Sequence, residues 1–290
     1  MQDGRHFNGV VDEHIMEKPQ YGHQVFFDEV RVLDERRTAK TEIKYVETKA
    51  FGNILFMDGE VQLSTMDEHR YHETLVHPLM SRTGKEFDLN VLVIGGGDGC
   101  AVREILKWKE AIGSVTVVDY DSEFVEQYGM DRLATINENA FKNPLVSYVC
   151  DDAINYLSKS KFKYDIIFID LPDPDGLEMQ MLYSDVIELA RTRFKIGIGM
   201  HVGPAMIDPK SPQRQIITQF KKLLEEKLVS HYVEMGTCYV PSFSNDWAFL
   251  YVVSALFKTR ASTRDVYDKC KYWNDINYHG FFGPKDLMLA

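Results

Sequence analysis

The stretch Val91-Leu92-Val93-Ile94-Gly95-Gly96-Gly97-Asp98-Gly99 runs directly into Cys100-Ala101-Val102-Arg103-Glu104-Ile105-Leu106. Four consecutive apolar residues read as a strand buried on both faces. The glycines read as a turn tight enough for backbone to touch a ligand, and the residues after them as the start of an amphipathic helix. A strand, loop and helix in this order suit a nucleoside. Glycines alone are a weak signal, because similar loops bind dinucleotides or only pack a helix on a sheet. The dinucleotide pattern G-x-G-x-x-G requires glycine where Cys100 stands, and Asp98 would repel a pyrophosphate at the helix N-terminus. The expected ligand carries adenosine and no phosphate.

Downstream, strands and helices alternate, which argues for a mostly parallel sheet. The spacing predicts strands at Asn90 to Ile94, Ser114 to Tyr120, Leu145 to Cys150, Tyr164 to Ile169, Ile196 to Val202, Ser230 to Val240 and Trp247 to Ser254, with a clear helix from Gln213 to Leu228. Seven strands ending in an apparent hairpin fit an α/β, methyltransferase-like (Rossmann-like) doubly wound sheet better than a six-stranded dinucleotide fold. Upstream, Gln24 to Leu33, Thr41 to Thr48 and Asn53 to Met57 read as short strands, with Asp58-Gly59 turning into Val61-Gln62-Leu63. Ser64 or Thr65 is expected to cap a helix running through Tyr71, His72, Leu75 and Val76 to about Met80. Two domains follow: a small antiparallel β domain with its connecting helix over 1–84, and a catalytic domain with a helical tail over 85–290. Residues 1 to about 20 show no clear periodicity and are expected to form an arm or loose cap.

The net charge is −11, which disfavours nucleic acid or an anionic membrane as partner and suits cationic ligands as well as plain solubility. Cys100, Cys150, Cys238 and Cys270 are scattered without C-x-x-C, so a reducing, cytosolic setting is expected. Trp247 to Phe257 is too short to span a bilayer, and the charged start of the chain is no signal peptide. His69, His72 and His77 lack H-E-x-x-H spacing and a matched ligand set, so no metal is expected.

In an open parallel sheet the ligand lies beyond the carboxyl ends of the strands. Acids stand at the ends of the first four expected strands: Asp98, then Asp119 and Asp121, then Asp151 and Asp152, then Asp170 and Asp173. Asp119, twenty residues past Gly99, sits where an acid accepts from ribose hydroxyls. Asp152-Ala153 can accept from an adenine amino group while the alanine leaves room for the ring, and the physics alone does not separate Asp151 from Asp152. In Asp170-Leu171-Pro172-Asp173-Pro174-Asp175-Gly176 two prolines exclude helix and stiffen the loop, making a carboxylate clamp suited to an ammonium group.

These residues together resemble the spermidine synthase family of aminopropyltransferases. The resemblance runs from about His23. It rests on Gly95 to Gly99, on Asp67-Glu68 followed by Tyr71-His72-Glu73, on Asp152-Ala153 and on the D-x-x-D-P of Asp170 to Pro174. Tyr272-Trp273-Asn274 with Tyr278-His279 and Phe282 is similar to the family's C-terminal ending. Leu182-Tyr183-Ser184 and Tyr239-Val240-Pro241-Ser242-Phe243 are most similar to a bacterial spermidine-synthase-like branch that is often fused to membrane segments, and no such segment is expected here.

The resemblance implies transfer of the aminopropyl group of decarboxylated S-adenosylmethionine to an amine such as putrescine, releasing methylthioadenosine. Decarboxylated S-adenosylmethionine would be a co-substrate, with no prosthetic group. Asp98 would bind the aminopropyl amine within the Gly95–Gly97 loop, Asp119 the ribose, and Asp152 with Ala153 the adenine. Gln62, Tyr71 and His72 would line the shared pocket, the latter two toward the acceptor. Asp170 would be the base that aims the attacking amine, and Asp173 a second acceptor ligand. A homo-oligomer, dimer or tetramer, is expected.

The chain departs from the family at the acceptor end. Lys40-Thr41 stands where Tyr-Gln is usual, Tyr239-Val240-Pro241 where T-Y-P is usual, Leu177 follows Gly176 where G-P is usual, and His201 replaces a Gln or Glu. The smaller Thr41 and Val240 would open the amine end to a longer acceptor, unless Tyr239, His201 or Lys40 fills the space and keeps putrescine. A methyltransferase using intact S-adenosylmethionine shares the fold but would set its carboxylate against Asp98. A non-catalytic polyamine or methylthioadenosine sensor would not need both Asp170 and Asp173.

Overall fold

Antiparallel strands in the first part of the chain give way to strands alternating with helices in the second. The computed structural model describes residues 11–18, 25–84, 87–206, 208–257 and 264–281. Its contacts group into two units, Met1–Glu68 with Val240–Ser244, and His69–Tyr239 with Asn245–Ala290. The expected boundary between 84 and 85 adjoins residues 85–86, which lie outside the described residues, as do Gln24 and Phe282.

In the first unit β1 (Val11–Met16), β2 (Phe26–Arg37), β3 (Glu42–Thr48), β4 (Gly52–Met57) and β5 (Glu60–Ser64) form one antiparallel sheet in that order. Its apolar face is Phe27, Val30, Val46, Ile54, Phe56 and Val61. Strand β1 corrects the expectation of a loose arm. It pairs with β2 from Val11↔Arg31 to Met16↔Phe26 as the outermost strand of the sheet. Ser64 and Thr65 do not cap a helix. The Ser64 hydroxyl donates to Phe51 O at 2.9 Å and Thr65 Oγ1 accepts from Asn53 N at 3.0 Å, both within turns of the sheet.

Helix α1 (Glu68–Met80) leads into the second unit. There β6 (Leu89–Gly95), α2 (Cys100–Leu106), β7 (Ile112–Asp119), α3 (Ser122–Phe124, continued by a π-helical stretch Val125–Arg132), β8 (Val146–Cys150), α4 (Ala153–Lys159) and β9 (Tyr164–Asp170) alternate. They continue with α5 (Leu177–Ala190), β10 (Phe194–Pro204), α6 (Pro212–Lys227), β11 (His231–Val240), β12 (Asn245–Ser254), α7 (Arg264–Tyr267) and α8 (Asp275–Phe281). The seven strands lie in the order β11-β12-β10-β9-β6-β7-β8. The pairs from β10 through β9, β6 and β7 to β8 are parallel, and β12 runs antiparallel to β10. The chain leaves β6 in one direction and returns on its other side as β9, so the switch point falls between these two strands. Among the described residues no helix is long and apolar enough to cross a membrane.

A buried ionic network lies between α1 and α2. Glu104 accepts from Arg103 Nε at 2.7 Å, pairs with Lys107 Nζ at 2.6 Å and sits 2.9 Å from His77 Nε2. Trp108 Nε1 donates to His77 Nδ1 at 3.1 Å, so the ring's own proton is on Nε2 and faces Glu104. That tautomer leaves Nε2 no lone pair for a metal, although His77, Glu104 and Cys270 lie within ligand distance of one another. Burial pushes the Glu104 carboxyl up, but His77, Arg103 and Lys107 overcome it and hold it well below the usual carboxylate range. Its stabilising contribution is therefore complete above the unfolded-state value of about 4.3 and is lost as pH falls below it. Glu104→Gln should cost roughly 3–5 kcal/mol at neutral pH, the penalty for breaking a buried ion network. Its stability should also depend less on pH in the acid range than that of the parent, as denaturant melts at pH 7 and at about pH 2.5, well below the unfolded-state value, would measure.

Candidate active site

Parallel register sets the site. Gly95 pairs with Asp170, Ile94 with both Val118 and Ile169, Asp119 with Cys150, and Met200 with Ile169. Asp170, Gly95 and Asp119 therefore end their strands in one row across the switch point, with His201 of β10 level with them. The loop after β6 can lie close because it lacks side chains. At Gly95, φ is +79° and a Cβ would lie 2.1 Å from the Asp170 carbonyl oxygen, while Gly96 N–H donates to that oxygen at 3.1 Å. A Cβ on Gly97 would meet Asp119 Oδ2 at 2.7 Å.

Tyr71 and His72 project from α1 toward this row. Tyr71 OH donates to Asp170 Oδ1 at 2.8 Å, and His72 Nε2 lies 3.7 Å from Asp98 Oδ2. Asp98 Oδ1 accepts from Cys100 N–H at 2.6 Å, so the first turn of α2 orients this carboxylate. Burial raises Asp170 to about 6, with Asp98 adding repulsion and His72 and Tyr71 opposing it. Burial likewise raises Asp119 to about 6, against hydrogen bonds from the backbone of Asp121 and Gly97. The Tyr71 phenol is held far above its ordinary value by burial and by Asp170, so it stays a donor. His72, Asp98 and Asp170 bring their ligand atoms within 4.8 Å of one another. Such a set suits a cation, whether a metal ion or an ammonium group.

The proline loop is braced from below. His201 Nε2 and Tyr183 OH both reach Leu171 O, and they lie 2.9 Å from each other. Asp173 Oδ1 is 3.5 Å from His201 Nδ1. Burial lowers His201 to about 4, so the ring is neutral at physiological pH. The bracing role of Tyr183 has no local sequence signal, since it joins residues twelve apart through a backbone carbonyl.

The other candidates lie as follows. Asp152 is exposed and caps α4, accepting from Asn155 N at 3.0 Å, with Ala153 buried behind it. Asp151 is held by Asp152 N and Asn155 Nδ2. Asp121 caps α3 through Phe124 N at 3.0 Å, a structural use of one of the strand-end acids. Gln62 stands on β5 in the first unit, with Nε2 3.3 Å from Glu60 O. Thr41 and Val240 are also in that unit, where Thr41 Oγ1 donates to Asp58 Oδ2 at 2.9 Å.

The back of α1 is tied to the C-terminal segment. Glu73, fully buried, accepts from Lys271 N at 2.7 Å, Tyr272 N at 2.8 Å and Trp273 N at 2.7 Å. Adjacent residues on one helix thus face the acids and the tail.

A family model described as the spermine/spermidine synthase domain matches residues 68–263. The chain belongs to the spermine/spermidine synthase family. It is 31% identical over 271 residues to the polyamine aminopropyltransferase of Sulfurisphaera tokodaii, an alignment covering 93% of this chain and 85% of that protein. Spermidine synthase from Thermotoga maritima matches its fold with a TM-score of 0.78 at 18% identity, over 99% of each chain. A spermidine synthase in complex with the transition-state analogue AdoDATO matches with 0.77 at 19%, over the whole of both chains. In this family member Gly95→Ala should destabilise by at least about 1–2 kcal/mol from the left-handed backbone alone, more once the Asp170 carbonyl is displaced. A shift of the urea midpoint measures it, and an unchanged midpoint would mean the loop does not pack as described.

Proposed function

We propose that this chain is a polyamine aminopropyltransferase that moves the aminopropyl group of decarboxylated S-adenosylmethionine to an amine acceptor and releases methylthioadenosine. Beyond family membership, the observation that carries the reading is Asp170. It is a half-buried carboxylate gripped by Tyr71, raised by burial and then by the Asp98 charge, and set beside the glycine loop. In the reaction the acceptor nitrogen attacks the methylene carbon beside the sulfonium. The carbon–nitrogen bond forms as the carbon–sulfur bond breaks, sulfur keeps the electron pair as a neutral thioether, and the proton of the nitrogen passes to Asp170.

An ammonium cannot attack, and a free alkylammonium has a pKa near 10.4. Raising Asp170 to about 6 narrows the gap between acid and base, and desolvation of the amine narrows it further. Holding the nitrogen in line with the sulfonium carbon supplies roughly 7 kcal/mol or more of the acceleration. In this reading Asp98 and His72 receive the donor's amine end, Asp119 the ribose and Asp152 with Ala153 the adenine. Asp173, Tyr71 and His72 receive the acceptor, and Gln62 completes the pocket. The clustered acids support cationic substrates on both sides of the transfer. Putrescine or a longer amine is the acceptor, and mass spectrometry of products from an equimolar amine panel distinguishes them. Four free thiols support a reducing, cytosolic setting, and a homo-oligomer remains part of the reading on the family likeness alone.

Asp170→Asn should keep donor binding and lower turnover by roughly 100-fold or more, the usual result of removing a general base. Unchanged turnover would take Asp170 out of that role. The wild-type acid limb of kcat/KM should lie near pH 6, with activity rising as Asp170 loses its proton. Tyr71→Phe removes a hydrogen bond that favours the carboxylate form, so the limb should move to higher pH. Asp98→Asn should weaken decarboxylated S-adenosylmethionine more than intact S-adenosylmethionine in calorimetric titrations, because only the former lacks a carboxylate facing Asp98. Equal weakening would make Asp98 a loop residue only.

A further inference from the structure

Helix α6 begins with Ser211 as its cap, accepting from Arg214 N at 3.2 Å, and with Pro212 in its first turn. Arg214 stands in that first turn and is only 4% exposed. Among the described residues its Nη1 is buried without a hydrogen-bond partner. Desolvation by burial holds the guanidinium below its ordinary value. A buried, unpaired cation is costly, and here the positive end of the helix macrodipole adds to the cost.

Arg214 lines a cavity of about 270 Å³ that Met235 of β11 also borders. Thr218, Lys221 and Lys222 follow Arg214 along one stripe of α6, with Glu225 at the far end and Met235 opposite on β11. Glu225 lies 3.9 Å from Lys221 and Lys222 pairs with Glu226 at 3.7 Å, both exposed contacts of little strength. The lining thus carries three cations and one acid in a chain of net charge −11. It shares no residue with the acid-rich row, whose charge has the opposite sign.

We propose that this cavity is a second ligand site, for a small oxyanion of the phosphate class, with Arg214 as its anchor. The planar guanidinium offers parallel N–H donors to two oxygens of one tetrahedral anion. Lys221 and Lys222 supply charge toward the opening, and the volume accepts a phosphate or a diphosphate. The phosphate is either a free ion or the phosphoryl end of a larger molecule, and the two share this chemistry.

Inorganic phosphate, pyrophosphate and AMP are titrated into the full chain against potassium chloride of equal ionic strength, by calorimetry and thermal unfolding. A saturable rise of about 2 °C or more in the unfolding midpoint is expected at tenfold excess over Kd. AMP binding that is tighter than phosphate binding and is lost in Arg214→Met would identify a phosphoryl group on a larger molecule as the ligand. Arg214→Met should fold, be at least as stable as the parent in chloride and lose the phosphate response. Arg214→Lys, which keeps the charge but loses the fork, should weaken phosphate at least fivefold. A wild-type chain that responds to phosphate no more than to chloride, or an Arg214→Met or Arg214→Lys variant that responds as the wild type does, overturns the proposal.

Discussion

The Asp170 carbonyl and the Gly96 amide meet at 3.1 Å, and the chemistry of the site depends on that backbone contact. It needs a left-handed residue with no side chain at Gly95, and it brings the ends of β6 and β9 flush at the switch point of the sheet. With those ends level, the side chain of Asp170 stands beside the loop that carries Asp98. A helix passing over the row can then reach it with a single phenol, Tyr71.

The row gathers negative charge, and burial makes the gathering unfavourable. The protein offsets part of this with backbone N–H groups on Asp98 and Asp119, the Tyr71 hydroxyl on Asp170, and His72 beside Asp98. What is not offset raises Asp170 and Asp119 to about 6. A cationic ligand relieves the same strain, so attraction for cations and the raised Asp170 have one physical origin.

Much of this was legible in the residues. The strands of the second unit are legible to within a few residues, most plainly β6 and β9, which are short apolar runs ended by glycine or acid, and open-sheet geometry makes strand-end residues neighbours without further information. The parts that were not legible are polar and long-range. The edge strand Val11–Met16 needs no apolar alternation, Ser64 and Thr65 serve turns where a cap was expected, and Asp121 caps a helix. The bracing of Leu171 by His201 and Tyr183 leaves no periodic trace. Arg214 reads in the sequence as one more basic residue of an amphipathic helix, because burial without a counter-ion is visible only in three dimensions.

The Glu73 carboxylate takes its three hydrogen bonds from residues about two hundred positions later in the chain. During synthesis on a ribosome, α1 and the glycine loop emerge long before the amides of Lys271, Tyr272 and Trp273 exist. Until then only Lys107, 3.6 Å away in the folded chain, and water can offset the Glu73 charge, so burying the helix that bears Tyr71 and His72 is costly. The burial of α1 is therefore completed late in synthesis, once Lys271, Tyr272 and Trp273 have been added, although the acids beside it are already in place.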